Sequence, residues 1–297
     1  MNQKSSKTKL PYLFIAPAFV LICVFMFYPM GNVFYFSFQN YNIGKPYTNG
    51  FAGLDNYIKI FMNDKVFYKT LFVTFKWVLF TVSIQLVIGM MVASVLNQQF
   101  KGRGFFRAAI FTPWAVSGIL TSLLWSMMFN EHMGVINGLL LNLGIIKDNI
   151  AWTANLNTVF GSIVTAEIWR GLPFFVIILL AALQIIPIEI YDSCKVDGAG
   201  RLSTFFYITL PFLKDTIIFS TLLRVIWEFN NIDVIYAITG GGPANMTTTL
   251  SMYIINQAIK AYNFGYGSAL TIIAFFILLA FIIVYLKLTR YGSEELK

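Results

Sequence analysis

The sequence carries little charge for its size. Charged residues make up 11% of the 297 residues, whereas hydrophobic residues make up 58%. A soluble domain carries about 25% charged residues, which it needs to cover its surface. The composition therefore predicts an integral membrane protein surrounded by lipid. The net charge of +8 is expected to report topology, and no nucleic-acid partner is expected.

The chain is also poor in residues that perform chemistry. It has one histidine, His132, and two cysteines, Cys23 and Cys194, so neither a multi-histidine metal site nor a disulfide framework is expected. No phosphate-binding loop of the form GxxxxGK[ST] occurs, and GAGRLST at 198–204 lacks the lysine. No pairing of a nucleophile with a base is recognisable. We expect no catalytic residue, metal or cofactor in this chain, and no enzymatic activity.

Long apolar runs dominate what remains. Those long enough to cross a bilayer, which takes about 20 helical residues, span 11–36, 71–96, 108–130, 157–184, 213–239 and 265–289. The predicted fold class is all-α, an integral membrane protein with six transmembrane helices. Basic residues concentrate in the two termini and in the loops 97–107 and 185–212. The positive-inside rule therefore places these loops and both termini in the cytoplasm.

The chain is predicted to divide at its first external loop. Residues 1–70 would hold a cytoplasmic tail, the first transmembrane helix and that loop, in which GLDNYIKIF is expected to form a short helix. Residues 71–290 would form a five-helix core that includes the cytoplasmic loop 185–212. Residues 291–297 would form a second cytoplasmic tail.

That cytoplasmic loop is unusually organised for so apolar a chain. In IPIEIYDSCKVDGAGRLSTFFYITLP, Pro187 can begin a helix and Gly198 can adopt the left-handed conformation that ends one. A second, amphipathic helix is expected from Arg201, and Pro211 is expected to stop it. Such a helix pair either docks on another protein or anchors in lipid headgroups.

Ionisable residues occur near the middle of two predicted transmembrane helices, in TAEIWRGLPFF and in LLRVIWEFNNIDVIYAIT. Such residues are costly in a bilayer and usually face a cavity or a charged partner. Helical spacing places polar and aromatic side chains on one stripe of each helix, a combination typical of carbohydrate sites. The predicted substrate-binding residues are Glu167, Arg170, Gly171, Phe174, Arg224, Trp227, Glu228 and Asn231. Alternatively, the two glutamates and two arginines of this set pair with one another and lock the helices together without a solute.

The cytoplasmic loop resembles a family signature. PIEIYDSCKVDGAG followed by FFYITLP is similar to the EAA loop of binding-protein-dependent ABC importers, specifically the permease subunits for sugars. The triplet DSC at 192–194 stands where Glu-Ala-Ala is usual, and DGA at 197–199 matches the family. The resemblance implies a type I ABC importer permease fold, with a cytoplasmic coupling helix pair between helices four and five. The ATPase-coupling residues that it implies are Glu189, Ile190, Tyr191, Asp192, Ser193, Cys194, Asp197 and Gly198.

The resemblance covers nearly the whole chain. RGFFRAAIFTPWAVSGILTSLLW at 103–125 is similar to the segment that joins the family's second and third helices, and TGGGP at 239–243 to the outer end of its fifth. The resemblance implies a multi-pass permease of a bacterial inner membrane that imports carbohydrate by alternating access. The partners that it implies are a second homologous permease, two cytoplasmic ATPase subunits that bind ATP and Mg²⁺, and an extracytoplasmic solute-binding protein.

Helix five is similar to the sugar-contacting helix of maltose-type permeases, with two departures. Glu228 stands where those permeases have an amide, and Arg224 where they have a small polar residue. These departures favour an oligosaccharide with a carboxylate or phosphate that Arg170 or Arg224 would bind. Two other classes stay open from the residues alone. One is a proton-coupled secondary transporter using Glu167, Glu228 or Asp233, and the other is a structural or sensory membrane subunit.

Overall fold

The computed structural model describes residues 10–289, which are predominantly helical. The basic N-terminal tail and residues 291–297, for which cytoplasmic positions are predicted, lie outside this part of the chain. The helices are α1 (Leu10–Ile22), α2 (Tyr28–Ser37), α3 (Asp55–Asn63), α4 (Lys65–Asn97), α5 (Arg103–Ala115), α6 (Gly118–Met128), α7 (Val135–Asn142), α8 (Val159–Ile185), α9 (Ile188–Val196), α10 (Arg201–Thr204), α11 (Leu210–Phe212), α12 (Lys214–Asn230), α13 (Asp233–Ile238), α14 (Leu250–Ile255) and α15 (Phe264–Thr289). Turns of π-helix occupy Cys23–Phe27, Phe205–Thr209 and Asn256–Lys260. A short antiparallel pair joins β1 (Gln39–Asn40) to β2 (Gly50–Phe51).

Four helical segments are long and apolar enough to cross a membrane. They are Phe14–Ser37, Lys65–Asn97, Val159–Ile185 and Phe264–Thr289. Two bent pairs also qualify: α5 with α6, at 99°, and Arg201–Phe212 with Lys214–Ile238, at 66°. The described residues thus contain four candidate spans, or up to six if each bent pair is one span. The predominantly helical membrane class is confirmed.

The run 108–130 was expected to be one helix and is instead broken, so that expectation was wrong. α5 ends at Ala115, and Val116 and Ser117 have extended backbone conformations. Ser117 then caps α6, because its hydroxyl accepts a hydrogen bond from the backbone N–H of Leu120 at 3.3 Å. The break turns the chain sharply in the middle of an apolar run.

The run 213–239 is also broken, contrary to the expectation of one helix. α12 ends at Asn230, and Asn231 is extended, with ψ of 127°. The side-chain oxygen of Asn231 accepts a hydrogen bond from the backbone N–H of Asp233 at 3.2 Å, where α13 begins. A short amide side chain can compete with the helix for backbone hydrogen bonds, which explains the interruption.

One compact unit comprises residues 65–253 and 277–289, and α4 packs against α8 in its core. Gly89 of α4 permits this close approach, since a Cβ there would lie 2.6 Å from the Cβ of Phe175. Val176 and Leu179 are fully buried beside this contact. The contact therefore fixes the relative positions of the polar side chains that lie one turn away on α4 and two turns away on α8.

The other compact unit comprises residues 10–64 and 254–276. α3 is the short helix predicted for the first loop, and its presence is confirmed. Asn56 ties α3 to the end of α2 and to β1, because its amide nitrogen donates to the backbone oxygens of Ser37 at 3.0 Å and Gln39 at 2.9 Å. Its external position stays a prediction.

The segment after α8 contains the predicted turn between two short helices. α9 follows Pro187, and Gly198 has a left-handed φ of 73°. The phenolic oxygen of Tyr191 lies 3.2 Å from the hydroxyl of Thr209, which links α9 to the helical stretch that follows the turn.

That helical stretch ends at Phe212, one residue after Pro211, where the sequence predicts its stop. It passes through the π-helical turn Phe205–Thr209, in which the N–H of Leu210 bonds to the carbonyl of Phe205. Pro211 lacks a backbone donor, and the widened turn accommodates it within a stretch that ends at Phe212.

Candidate functional site

A group of paired charges lies where α8 packs against α12. Glu167 of α8 is completely buried. Its carboxylate accepts hydrogen bonds from Arg170 Nε and Arg224 Nη2, each at 2.9 Å. Arg224 Nη2 also lies 2.5 Å from Glu228 Oε1, an ion pair without the alignment of a hydrogen bond. The structure thus contains the ion pairing that the sequence left open as an alternative. A buried charge without a partner costs free energy, so these pairs hold α8 and α12 together.

Gln85 of α4 completes this network, and the sequence analysis missed it. Its side-chain oxygen accepts from Arg224 Nε at 2.8 Å, and its side-chain nitrogen donates to the backbone oxygen of Glu167 at 2.8 Å. Gln85 is fully buried. The available signal was an amide between Ile84 and Leu86, in the part of α4 that carries no charged residue.

Two residues after the α12 break extend the polar group. Asp233 lies 3.8 Å from Arg170 Nη1, and its side chain is 48% exposed. The amide nitrogen of Asn231 lies 3.4 Å from Glu228 Oε2. The break therefore brings α13 to the same site as α8 and α12.

Two glycines make room for the arginines. A Cβ at Gly171 would overlap the guanidinium of Arg224 and the amide of Gln85. A Cβ at Gly118 would lie 2.6 Å from the carboxylate of Asp233 and 2.9 Å from Arg170 Nη1. The paired charges thus occupy space that only a residue without a side chain leaves open.

A cavity of about 490 Å³ opens beside the paired charges. The predicted residues that line it are Arg170, Gly171, Arg224, Trp227, Glu228 and Asn231. Glu167 and Phe174 are not among the lining residues, although both support them. Phe174 is 4% exposed, and its ring centroid lies 5.1 Å from that of Trp227.

Sequence reasoning missed part of the cavity wall. Pro113, Trp114 and Val116 come from the end of α5 and from the break that follows it. Trp114 is 47% exposed, and its ring centroid lies 6.4 Å from that of Phe174. The remaining lining residues, Ile226, Asn230, Ile232 and Asp233, come from the end of α12 and the start of α13. The cavity thus combines two indole rings with carboxylates, amides and arginines.

The residues predicted to couple to an ATPase belong to a separate region. They lie on α9 and the turn after it, and none lines the cavity: Glu189, Ile190, Tyr191, Asp192, Ser193, Cys194, Asp197 and Gly198. Asp192 and Lys195 form an exposed ion pair at 2.8 Å. Because both side chains are exposed, this face of α9 is accessible to solvent in the isolated chain.

Metal-ligating side chains are not clustered in the described part of the chain. Within residues 10–289, no group of three or more histidines, cysteines, aspartates or glutamates is placed to hold a metal ion. The charged side chains of the cavity instead form ion pairs with one another.

Ionisable groups in membrane-spanning helices usually face a solute path or pair with each other, and a polar cavity among long apolar helices is the arrangement expected of a membrane transport protein. Residues 85–291 match the family described as the binding-protein-dependent transport system inner membrane component. The chain belongs to this family, which confirms the family that the loop motif predicted.

Relatives and a solved structure agree with this membership. The chain is 37% identical over 98% of its length to the trehalose/maltose transport system permease protein MalF of Thermococcus litoralis, covering 97% of that protein. It is 34% identical over 95% of its length to the sulfoquinovosyl glycerol transport system permease protein SmoG of Agrobacterium fabrum, covering 90% of it. The structure of a bacterial ABC transporter that imports the acidic polysaccharide alginate contains a chain of the same fold. That chain has a TM-score of 0.84 and 20% identity, with 96% of each chain covered.

Proposed function

We propose that this chain is a permease subunit of an ATP-driven importer and that an oligosaccharide passes through the cavity beside α8 and α12. The observation that carries the proposal is the pairing of two half-exposed indole rings, Trp114 and Trp227, with the polar groups of Asn230, Asn231 and Asp233 in one cavity. Indole faces pack against the apolar faces of sugar rings, and carboxylates and amides bind hydroxyl groups. The permease relatives, named for sugars and sugar derivatives, support the same substrate class.

The ion pairs favour a neutral oligosaccharide over an acidic one. Arg224 is bound by Glu167, Glu228 and Gln85, and Arg170 by Glu167 with Asp233 nearby. An anionic substrate would have to displace a carboxylate that is already in place. The partly exposed Asp233 would also repel it. We therefore propose neutral, hydroxyl-rich sugars, and the sequence-based preference for a carboxylate- or phosphate-bearing sugar stays a prediction that transport measurements decide.

Transport measurements test this proposal. In proteoliposomes containing the assembled importer and its binding protein, neutral oligosaccharides should be taken up at least tenfold faster than uronic-acid analogues of equal length. Trp227→Ala should reduce neutral uptake by about tenfold, the size expected from loss of one aromatic contact of about 1–1.5 kcal/mol. Trp152→Ala, outside the cavity, is the control. Faster uptake of the uronic acids would contradict the proposed substrate.

The same preparation separates the two transporter classes that the sequence left open. Vanadate should stop uptake while an imposed proton gradient is intact, because only an ATP-driven importer depends on a nucleotide hydrolase. Continued uptake would favour a proton-coupled secondary transporter. The family membership favours the first outcome, since its members work with a binding protein.

The assembly that we propose contains more than this chain. A second homologous permease would complete the pathway, two cytoplasmic ATPases with ATP and Mg²⁺ would drive it, and an extracytoplasmic binding protein would deliver the sugar. The two bent pairs would each count as one span, giving six, with both termini in the cytoplasm. The proposed divisions are 1–70, the core 71–290 with its loop 185–212, and the tail 291–297.

The helix pair around Gly198 is proposed to couple this chain to an ATPase. Its native Cys194 offers a direct probe, and Cys23→Ser removes the other thiol. A short bifunctional thiol reagent applied to native membranes should join Cys194 to an ATPase subunit and should change in yield when nucleotide binds. A Cys23→Ser, Cys194→Ser chain with Asp148→Cys in the predicted external loop is the control. Crosslinks from Asp148→Cys but not from Cys194 would contradict both the coupling role and the orientation.

A further inference from the structure

Two arginines at the beginning of α5 have buried nitrogen atoms without partners. Arg103 Nε, Arg107 Nε and Arg107 Nη2 are inaccessible to solvent, and none of them makes a hydrogen bond. An unpaired buried donor costs free energy, more so when the group is charged. Within the described residues, neither arginine thus has an acceptor for these nitrogens.

The sequence around the arginines offers no carboxylate to serve as that acceptor. No aspartate or glutamate occurs between Asp64 and Glu131. Among residues 10–289, neither arginine takes part in an ion pair. Lys101 adds a third positive charge two residues before Arg103. This local excess of positive charge favours the binding of an anion that is not part of the chain.

An apolar groove of about 330 Å³ lies between the end of α4 and the first two turns of α5. Met91 and Val95 of α4 form one wall, and Phe106 and Ile110 of α5 form another. Met91 is 61% exposed, Val95 56% and Phe106 51%, so the groove is open on this chain. In a membrane protein, such a groove at the end of a span faces acyl chains.

The arginines and the groove share one face of α5. Arg103, Phe106, Arg107 and Ile110 are spaced i, i+3, i+4 and i+7, the positions that align on one side of a helix. Phe106 and Ile110 line the groove, and Arg103 and Arg107 lie on the same face of α5. Positive charge beside an apolar groove is the arrangement that fits an anionic amphiphile.

We propose that this face binds an anionic phospholipid, with its phosphate on Arg103 and Arg107 and one acyl chain in the groove. The phosphate would pair with the guanidinium nitrogens of the two arginines that are not enclosed, and planar guanidinium groups match phosphate oxygens well. The site is separate from the solute cavity and does not depend on which sugar passes through it.

Lipid retention tests the proposal on the assembled transporter. The complex is placed in nanodiscs with equal phosphatidylglycerol and phosphatidylcholine, extracted into mild detergent, and analysed by native mass spectrometry. Phosphatidylglycerol should be retained preferentially. Arg103→Gln and Arg107→Gln should each reduce that preference about fivefold, which corresponds to about 1 kcal/mol per basic residue at a membrane surface. Arg201→Gln, a loss of the same charge from an exposed site, should have little effect.

The groove is tested separately from the charges. Val95→Trp fills the groove and keeps both arginines, and it should lower phosphatidylglycerol retention to that of phosphatidylcholine. The double variant Arg103→Lys, Arg107→Lys keeps both positive charges and should retain most of the preference for phosphatidylglycerol. Retention in this variant would show that the loss in the glutamine variants is not caused by misfolding. Equal effects of Arg201→Gln and Arg107→Gln would overturn the proposal. Displacement of the lipid by millimolar inorganic phosphate would also overturn it, in favour of a free-phosphate site.

A photocrosslinking amino acid at Phe106 distinguishes a lipid from a protein partner in native membranes. Adducts with phospholipid would support the site, and adducts with another subunit would overturn it. These outcomes are independent of sugar uptake, so they stay interpretable if the proposed substrate is wrong.

Discussion

Glu167→Gln is expected to destabilise the protein by about 3–5 kcal/mol and to abolish transport. The substitution keeps the shape of the side chain but removes the carboxylate that holds Arg170 and Arg224. Removal of one partner from a buried ion pair leaves an incompletely compensated charge, which costs this much. Chemical unfolding of the purified protein in detergent measures the change, and uptake in proteoliposomes measures the functional loss.

A surface ion pair provides the matched control. Asp192→Asn removes an acid that pairs with Lys195 at 2.8 Å, but both side chains are largely exposed, and the expected loss is below about 1 kcal/mol. The double variant Glu167→Gln, Arg224→Gln should be less stable than Glu167→Gln alone, because the loss of Arg224 leaves the buried Glu228 without its partner. Equal stability of Glu167→Gln and Asp192→Asn would show that the buried network does not hold α8 to α12.

Gly171→Ala is expected to impair the site nearly as strongly. The new methyl group would overlap the Arg224 guanidinium, which cannot move away without giving up Glu167 and Gln85. Overpacking of a buried position typically costs about 1–3 kcal/mol. Thermal unfolding and sugar uptake should both fall, and the Michaelis constant for the binding-protein-delivered sugar should rise.

Gly161 on the same helix is the control for that substitution. A Cβ at Gly161 meets no atom within 4 Å, so Gly161→Ala should leave uptake unchanged. Similar losses of uptake in Gly171→Ala and Gly161→Ala would show that the flexibility of α8, and not the space for Arg224, explains the effect.

The sequence was informative where polar residues repeat with helical spacing. Arg224 and Glu228 lie four residues apart on α12 and do form an ion pair, and Arg170 lies three residues from Glu167 on α8 and pairs with it. Gly198 was identified because a left-handed turn between two helices favours glycine.

The sequence was less informative where the partner comes from a distant helix or from a break. Gln85 is one amide in the part of α4 without charged residues, and periodicity cannot indicate that it would reach Arg224. Trp114 lines the cavity because the chain turns at Val116. Pro113 and the Ser117–Gly118 pair are turn signals, but the apolar length of the run favoured a single span. The choice between ion pairing and an open solute site also needed tertiary distances, since the same four charges are compatible with both.

The break between α5 and α6 affects how the cavity can be studied. The last turn of a helix leaves carbonyl groups without intrahelical partners, and non-helical backbone at membrane depth is tolerated where it borders a cavity. Val116 lies at this break and lines the cavity. Carbonyl groups at such a break can accept hydrogen bonds from a sugar in the cavity, and no side-chain substitution deletes them. Alanine scanning would consequently underestimate the number of contacts, and ester substitutions in the backbone would be needed to count them.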